Sequence, residues 1–190
     1  HAAANNNVLV FINTDTVLDK RVDTYSLSKR QFSEWLEKYS NDILTINVAL
    51  EHFYGPFDND SKFVTYVIRK MLGNEDSIDF TLGLQKRNFI YIEDVVDAFI
   101  VLLNNINKLD NSFHNFEAGT ESTITIKDFV CLVKKLCNNN TTDLNFGAIN
   151  YRENEVMNTN TNIDKLKSLG WFPRFSLEDG LKKTIDLEKN

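Results

Sequence analysis

Glycine is scarce and scattered in this chain. Its seven glycines lie at positions 55, 73, 83, 119, 147, 170 and 180, none at the spacing of a dinucleotide-cradling glycine turn. There are two cysteines, Cys131 and Cys137, six residues apart in a helical pattern. That pattern reads as buried thiols, not as a disulfide or a metal pair, and makes a reducing cytoplasm the expected compartment. His1 and His114 lack the Cys or carboxylate spacing of a metal site, so no metal is expected. No apolar run is long enough to span a bilayer, and no charged-then-apolar leader precedes the first strand, which argues against a membrane partner. A formal charge of −6 leaves no basic surface for general nucleic-acid binding.

What remains is an ordinary soluble composition. The 190 residues are 42% hydrophobic and 25% charged, enough for a real core in one large domain or one and a half small ones. The chain opens His1-Ala2-Ala3-Ala4-Asn5-Asn6-Asn7 without a methionine, a start that reads as a fragment or as spliced ordered pieces.

The apolar run Val8–Ile12 predicts a buried parallel strand, ending in the small polar residues Asn13-Thr14-Asp15-Thr16. Residues 25–39 predict a helix, with Phe32, Trp35, Leu36 and Tyr39 at helical spacing. Residues 42–50 predict a β-branched strand stopped by Phe53-Tyr54-Gly55-Pro56. A helix over 62–72 should close with Gly73 as a left-handed cap. Short strands are expected at 78–82 and 88–92, and helices at 95–103, 125–137, 163–170 and 177–188. Glu93 and Asp94 open the first of these helices, and Ser176 N-caps the last, with Asp179 three residues on. Alternating strands and helices predict an α/β fold: a parallel sheet flanked by helices, with ligands at the strands' carboxyl ends and a smaller mixed lobe in the later half.

Tyr25-Ser26-Leu27-Ser28-Lys29, preceded eleven residues upstream by Thr14, carries the chemistry. A tyrosine and a lysine four apart share one helix face. The ammonium favours the phenolate by opposite charge, so the pair can exchange a proton with a sugar hydroxyl or carbonyl. Read alone, the same spacing also describes a surface tyrosine beside a solvated lysine.

Further motifs follow in order. Glu51-His52-Phe53-Tyr54-Gly55-Pro56 resembles an Asn-Val-Tyr-Gly-Pro turn, and Gln85-Lys86-Arg87-Asn88-Phe89-Ile90-Tyr91-Ile92-Glu93-Asp94-Val95 an Arg-Asp-Phe-Ile-Tyr-Val-x-Asp-Val segment. Tyr151-Arg152-Glu153-Asn154-Glu155 resembles Arg-Pro-Gly-Asp/Glu, and Leu169-Gly170-Trp171-Phe172-Pro173 a closing Leu-Gly-Trp-x-Pro. Even His1-Ala2-Ala3-Ala4 is similar to a His-x-Ala-Ala strand end. Together they resemble the extended short-chain dehydrogenase/reductases, the NAD(P)-dependent nucleotide-sugar epimerase/dehydratase family. The resemblance implies a partial Rossmann-like sheet over 1–55 that carries the Tyr-x-x-x-Lys helix. It implies a substrate lobe over 56–190, with 88–110 returning to the sheet.

By that resemblance Tyr25 is the acid/base and Thr14 bonds to the same substrate oxygen, or is a strand-end threonine satisfying backbone. Lys29 holds the ribose of NAD or NADP, with His1 and Tyr25 beside the cofactor. Asp15 assists catalysis or caps a turn. The family's dehydratases carry Thr-Asp-Glu here, whereas this chain has Thr16, which cannot take a proton from carbon. That favours a 4-keto reductase or epimerase acting for surface polysaccharide synthesis, nearest the branch containing the CDP-abequose synthases. Arg87 and Arg152 hold the diphosphate of a nucleoside-diphosphate sugar, or form surface or interlobe ion pairs. Glu155 accepts from a ribose hydroxyl or is solvated. His52 stands where the family has asparagine near the phosphates, or packs under the following turn. Trp171 reads as core.

The family's glycine-rich turn and first strands are not found, nor is the helix that pairs with the catalytic helix across a homodimer. If the chain is complete, weak or no cofactor binding and an exposed sheet edge are expected. The alternative reading is a truncated, non-catalytic remnant that binds a nucleotide sugar or a partner chain.

Overall fold

The structure is a computed structural model, and it describes residues 2–6, 8–16, 23–50 and 52–189. In chain order its elements are α1 (Ala2–Asn5), β1 (Val10–Thr16), α2 (Thr24–Tyr39), β2 (Leu44–Leu50), β3 (His52–Tyr54) and α3 (Phe63–Leu72). There follow β4 (Ser77–Phe80), β5 (Lys86–Arg87), β6 (Phe89–Tyr91), α4 (Ile92–Asn104) and β7 (Phe113–Ala118). The chain closes with β8 (Ile124–Thr125), α5 (Ile126–Leu136), β9 (Asp143–Phe146), α6 (Asp164–Ser168) and α7 (Leu177–Glu188). It divides into two units: 1–51, 93–121 and 160–173 form the first, and 52–92, 122–159 and 174–190 the second.

The first unit is built on three parallel strands in the order β1-β2-β7. Parallel neighbours need long crossovers, which here contain α2 and α4. Asn13, Asn47 and Asn115 lie side by side in register across all three strands. The Asn13 amide nitrogen donates to Asn47 Oδ1 at 2.7 Å, and the Asn47 nitrogen donates to Asn115 Oδ1 at 2.6 Å. Side chains alternate along a strand, so Ile46 and Val48, both fully buried, point to the face opposite this amide row. The row pins the register, because a slip of one residue would bury an unpaired amide against apolar neighbours. Trp171 packs as the sequence predicts and donates its indole N–H to the Asp94 carbonyl at 3.0 Å.

α2 forms where its spacing predicts, but its buried positions are Ser26 and Ser33 while Phe32, Trp35 and Tyr39 are exposed. Its N-cap is Asp23, whose carboxylate accepts from the Ser26 N–H at 2.7 Å. β7 escaped the sequence reading because His114, Asn115 and Glu117 break up its apolar signal. The strand nonetheless takes an outer place in the sheet, where Phe116 and Ala118 are buried.

The second unit pairs β3 with β6 and β4 with β9 in parallel, and β5 with β8 antiparallel. Its core joins α3, α5 and α7 through Val67, Met71, Phe129, Val133, Leu181 and Ile185. Phe89 and Phe129 stack with ring centroids 4.2 Å apart. α5 and α7 both open on a hydroxyl cap: Thr125 Oγ1 accepts from the Asp128 N–H, and Ser176 Oγ from the Asp179 N–H. α3 does not close as expected. Gly73 is right-handed at φ −74°, and the left-handed residue is Asn74 at φ 51°. The helix still ends at Leu72 with Gly73 as its C-cap, and the left-handed turn falls one residue later, on an asparagine, which tolerates that conformation.

Gly180 matters by proximity and not by flexibility. A Cβ there would run into the Tyr54 hydroxyl and lie 3.1 Å from Tyr54 Cζ and Tyr91 Cβ. The hydroxyl cannot swing away freely, because it donates to the Leu177 carbonyl at 3.1 Å.

Two stability measurements test these contacts by chemical denaturation. Asn47→Leu leaves neighbouring amide groups unpaired and should cost about 1–3 kcal/mol. Gly180→Ala should destabilise the protein, although alanine is favoured over glycine in a helix interior by about 1 kcal/mol. Adding Tyr54→Phe should recover part of that loss, giving a coupled double-mutant cycle.

Candidate functional site

In the first unit, the site residues gather at the end of β1 and the start of α2. The Asp23 cap begins α2 one residue before Tyr25, so Tyr25 and Lys29 stand one turn apart on the helix. The Lys29 ammonium lies 5.8 Å from the centre of the Tyr25 ring. It also donates to the backbone carbonyl of Thr14 at 3.1 Å, which ties the helix to the strand end. An ammonium has three N–H donors, so this bond leaves others to serve a ligand. Tyr25 is 63% exposed, its ring open to solvent.

Thr14 and Asp15 are adjacent in a strand, so their side chains point to opposite faces of the sheet. Thr14 is exposed and Asp15 is buried. Asp15 Oδ1 accepts from the Thr16 N–H at 2.8 Å, shaping the strand end. The structure therefore brings Tyr25, Lys29 and the Thr14 backbone together, with Asp15 on the other face. His1 lies outside the described residues.

In the second unit, a cavity of about 510 Å³ is lined by His52, Arg87, Arg152 and Glu155, among others. The sequence scattered these four residues over a hundred positions, and the structure gathers them around one volume. It falls in the range of small-molecule sites, roughly 300–1,000 Å³. Two hydrogen bonds lay the 151–157 loop along β5: Lys86 N–H to the Met157 carbonyl at 2.8 Å, and Leu84 N–H to the Tyr151 hydroxyl at 3.0 Å.

Arg87 is buried beneath that loop. Its guanidinium donates to the Val156 carbonyl at 2.6 Å, to the Lys86 carbonyl at 2.8 Å, and to Glu155 Oε1 at 2.5 Å. A charge so far out of water persists because carboxylate and carbonyls replace its hydration. Arg152, by contrast, is exposed, and its guanidinium makes no hydrogen bond or ion pair among the described residues. It is the cation of this cavity available to an incoming anion. The His52 ring meets Phe89 edge-on at 5.7 Å.

The cavity also contains residues to which sequence reasoning gave no role. Gln85, Asp79, Asn150 and Tyr66 line it, with Phe63 and Ile126 among the apolar walls. No strand was expected over 85–87, and Gln85 stands just before the two-residue strand β5, so the local pattern did not mark it. Arginines beside flat apolar walls suit a ligand that joins an anionic group to a ring.

Residues 8–119 match the model of the NAD dependent epimerase/dehydratase family. The chain is 37% identical over 188 residues to a CDP-abequose synthase of Salmonella muenchen, covering 94% of this chain and 63% of that protein. It is 34% identical over 185 residues to the CDP-abequose synthase of Salmonella typhimurium, covering 93% and 62%. The chain thus spans somewhat under two thirds of the length of these relatives. Its fold is also that of a UDP-glucose 4-epimerase from Thermotoga maritima solved with UDP-glucose, with a TM-score of 0.83 at 22% identity, covering 97% of this chain and 65% of that one. The α/β architecture of parallel strands flanked by helices is therefore of the Rossmann type seen in such epimerases, and the chain belongs to the NAD dependent epimerase/dehydratase family.

Proposed function

We propose that the protein carrying this chain is a 4-keto reductase or 4-epimerase of a nucleoside-diphosphate hexose, with a cytidine diphosphate sugar as substrate. The observation that carries the reading is the Lys29 ammonium set beside the Tyr25 ring and bonded to the Thr14 carbonyl. Tyr25 exchanges the proton of the sugar's C4 oxygen, and Thr14 bonds to that same oxygen through its hydroxyl. Lys29, tied to the strand end, places a positive charge beside the tyrosine ring. The names of the two Salmonella relatives support the cytidine diphosphate part.

Lys29 and Tyr25 fit the nicotinamide-ribose end of NAD or NADP, since Lys29 keeps donors beyond its bond to Thr14 and Tyr25 is open to approach. When bound, that cofactor supplies hydride exchange. Whichever way hydride would pass, the task of this chain's own residues is to hold the proton-carrying oxygen in place.

Thr16 supports this choice of reaction. Elimination of water needs a base for a carbon-bound proton, and position 16 offers only a hydroxyl. The neighbouring Asp15 carboxylate accepts the Thr16 N–H and serves as a brace for the strand end. Arg152 meets the diphosphate directly, while Arg87, bound to Glu155, holds the loop that presents it.

Tyr25→Phe should lower kcat by roughly 10²–10⁴-fold with KM little changed, followed by nicotinamide absorbance with a 4-keto sugar nucleotide. Unchanged turnover would overturn the mechanism. Arg152→Ala should weaken binding of a nucleoside diphosphate by about tenfold or more while leaving the parent nucleoside almost unaffected, measured by calorimetry.

A further inference from the structure

The aromatic rings lining the second unit's cavity are those of His52, Phe63, Tyr66, Phe80 and Phe89. All but Tyr66 are committed to neighbours. Phe89 stacks on Phe129 with ring centres 4.2 Å apart, Phe63 tilts against Phe129 at 5.8 Å, Phe80 stacks on Phe146 at 5.3 Å, and His52 meets Phe89 edge-on. The Tyr66 ring has no aromatic neighbour and its hydroxyl makes no hydrogen bond among the described residues, and the residue is 39% exposed. Helix geometry explains the difference. Val64, Val67, Ile68 and Met71 turn one side of α3 into the core, while Phe63, Tyr66 and Lys70, spaced three and four apart, share another. The Tyr66 N–H is bonded within the helix, to the Lys62 carbonyl at 2.8 Å, so what Tyr66 offers the cavity is its side chain. The Lys70 ammonium, held by Glu75 Oε1 at 2.9 Å, lies 6.0 Å from the ring centre, and its attraction to the ring favours one orientation. An open aromatic ring therefore stands in the same cavity as the Arg152 cation.

We infer that Tyr66 is the platform for the nucleobase: the base of the nucleotide stacks on its ring while the diphosphate lies toward Arg152. The inference rests on the reading of this cavity as a nucleoside-diphosphate sugar site and adds to it the residue that holds the base. A tyrosine suits the task because its ring is flat and amphipathic and only two torsions are fixed when it is covered. Covering it with a base removes apolar surface from water on both partners. Stacking uses the π face that every base has, so it gives affinity for a nucleotide without choosing among bases. Phe80 and Phe89, buried and already stacked on other rings, serve as wall.

The test is calorimetric titration of the purified protein with CDP, with UDP and with inorganic pyrophosphate, which carries the anion without a base. The proteins are the wild type, Tyr66→Phe and Tyr66→Ala. Tyr66→Ala should weaken CDP and UDP by the same factor, about 5–100-fold, and leave pyrophosphate within about twofold. Tyr66→Phe keeps the ring and should bind all three as the wild type does. Nuclear magnetic resonance of the nucleotide gives a second readout. The ring current should move the base protons upfield on binding to the wild type and Tyr66→Phe, and far less on binding to Tyr66→Ala. If Tyr66→Ala binds CDP as tightly as the wild type, the platform role is overturned while the cavity remains a nucleotide site. An equal loss for pyrophosphate and CDP gives the ring a purely structural part and overturns the role as well. So does a loss in Tyr66→Phe that matches Tyr66→Ala, or a loss confined to one base, since either puts the hydroxyl in place of the ring. If neither nucleotide binds the wild type, the underlying reading of the cavity falls, and the inference with it.

Discussion

The Asn47 amide is the pivot of the first unit. It sits on the middle strand, fully buried, and accepts from Asn13 on one side while donating to Asn115 on the other. A primary amide has both a donor and an acceptor face, so a row of three can satisfy itself across a parallel sheet without water. One consequence is register: Asn13 opposite Asn47 places Thr14 opposite Val48 and Asp15 opposite Ala49. The carbonyl that receives Lys29 therefore occupies a defined place at the strand end. A purely apolar row would pack as well but would tolerate slippage more readily, because only polar partners penalise a wrong neighbour strongly.

The second unit solves a different problem around Arg87. Its guanidinium is removed from water and bonded to a carboxylate and two carbonyls, two of these partners belonging to the loop that carries Arg152. The geometry divides labour between two arginines that look alike in the sequence. The buried one organises the wall, and the exposed one remains for a ligand. Gln85, two residues before Arg87, lines the same volume and donates its amide nitrogen to Thr81 Oγ1.

Much of this was legible before any coordinates. Helices α2, α3, α5 and α7 announce themselves by period, and their boundaries move by only a residue or so. The hydroxyl caps of α5 and α7 follow from the residue types at those positions. Other features were not legible for identifiable reasons. β7 mixes histidine, asparagine and glutamate with its apolar residues, because its asparagine belongs to a ladder whose other members lie far away in sequence. The aromatic positions of α2 have a helical period but lie on its exposed side, and period alone does not say which face is buried. The left-handed conformation expected of Gly73 falls on Asn74, because helix ends depend on the backbone hydrogen bonds that follow them.

The sequence by itself determined the local elements, the Tyr25–Lys29 pairing and the family, since each rests on short-range spacing or on motifs read in order. Two helix positions four apart meet whatever surrounds them. Only the tertiary structure decided that Thr14 meets Lys29 through its carbonyl, that Asp15 points to the opposite face, and that Arg87 is bound while Arg152 is open. It alone revealed that the buried Gln85 oxygen has no partner among the described residues. Those properties depend on which groups are removed from water and what remains within reach of them, and distant segments, not neighbours in the chain, set both.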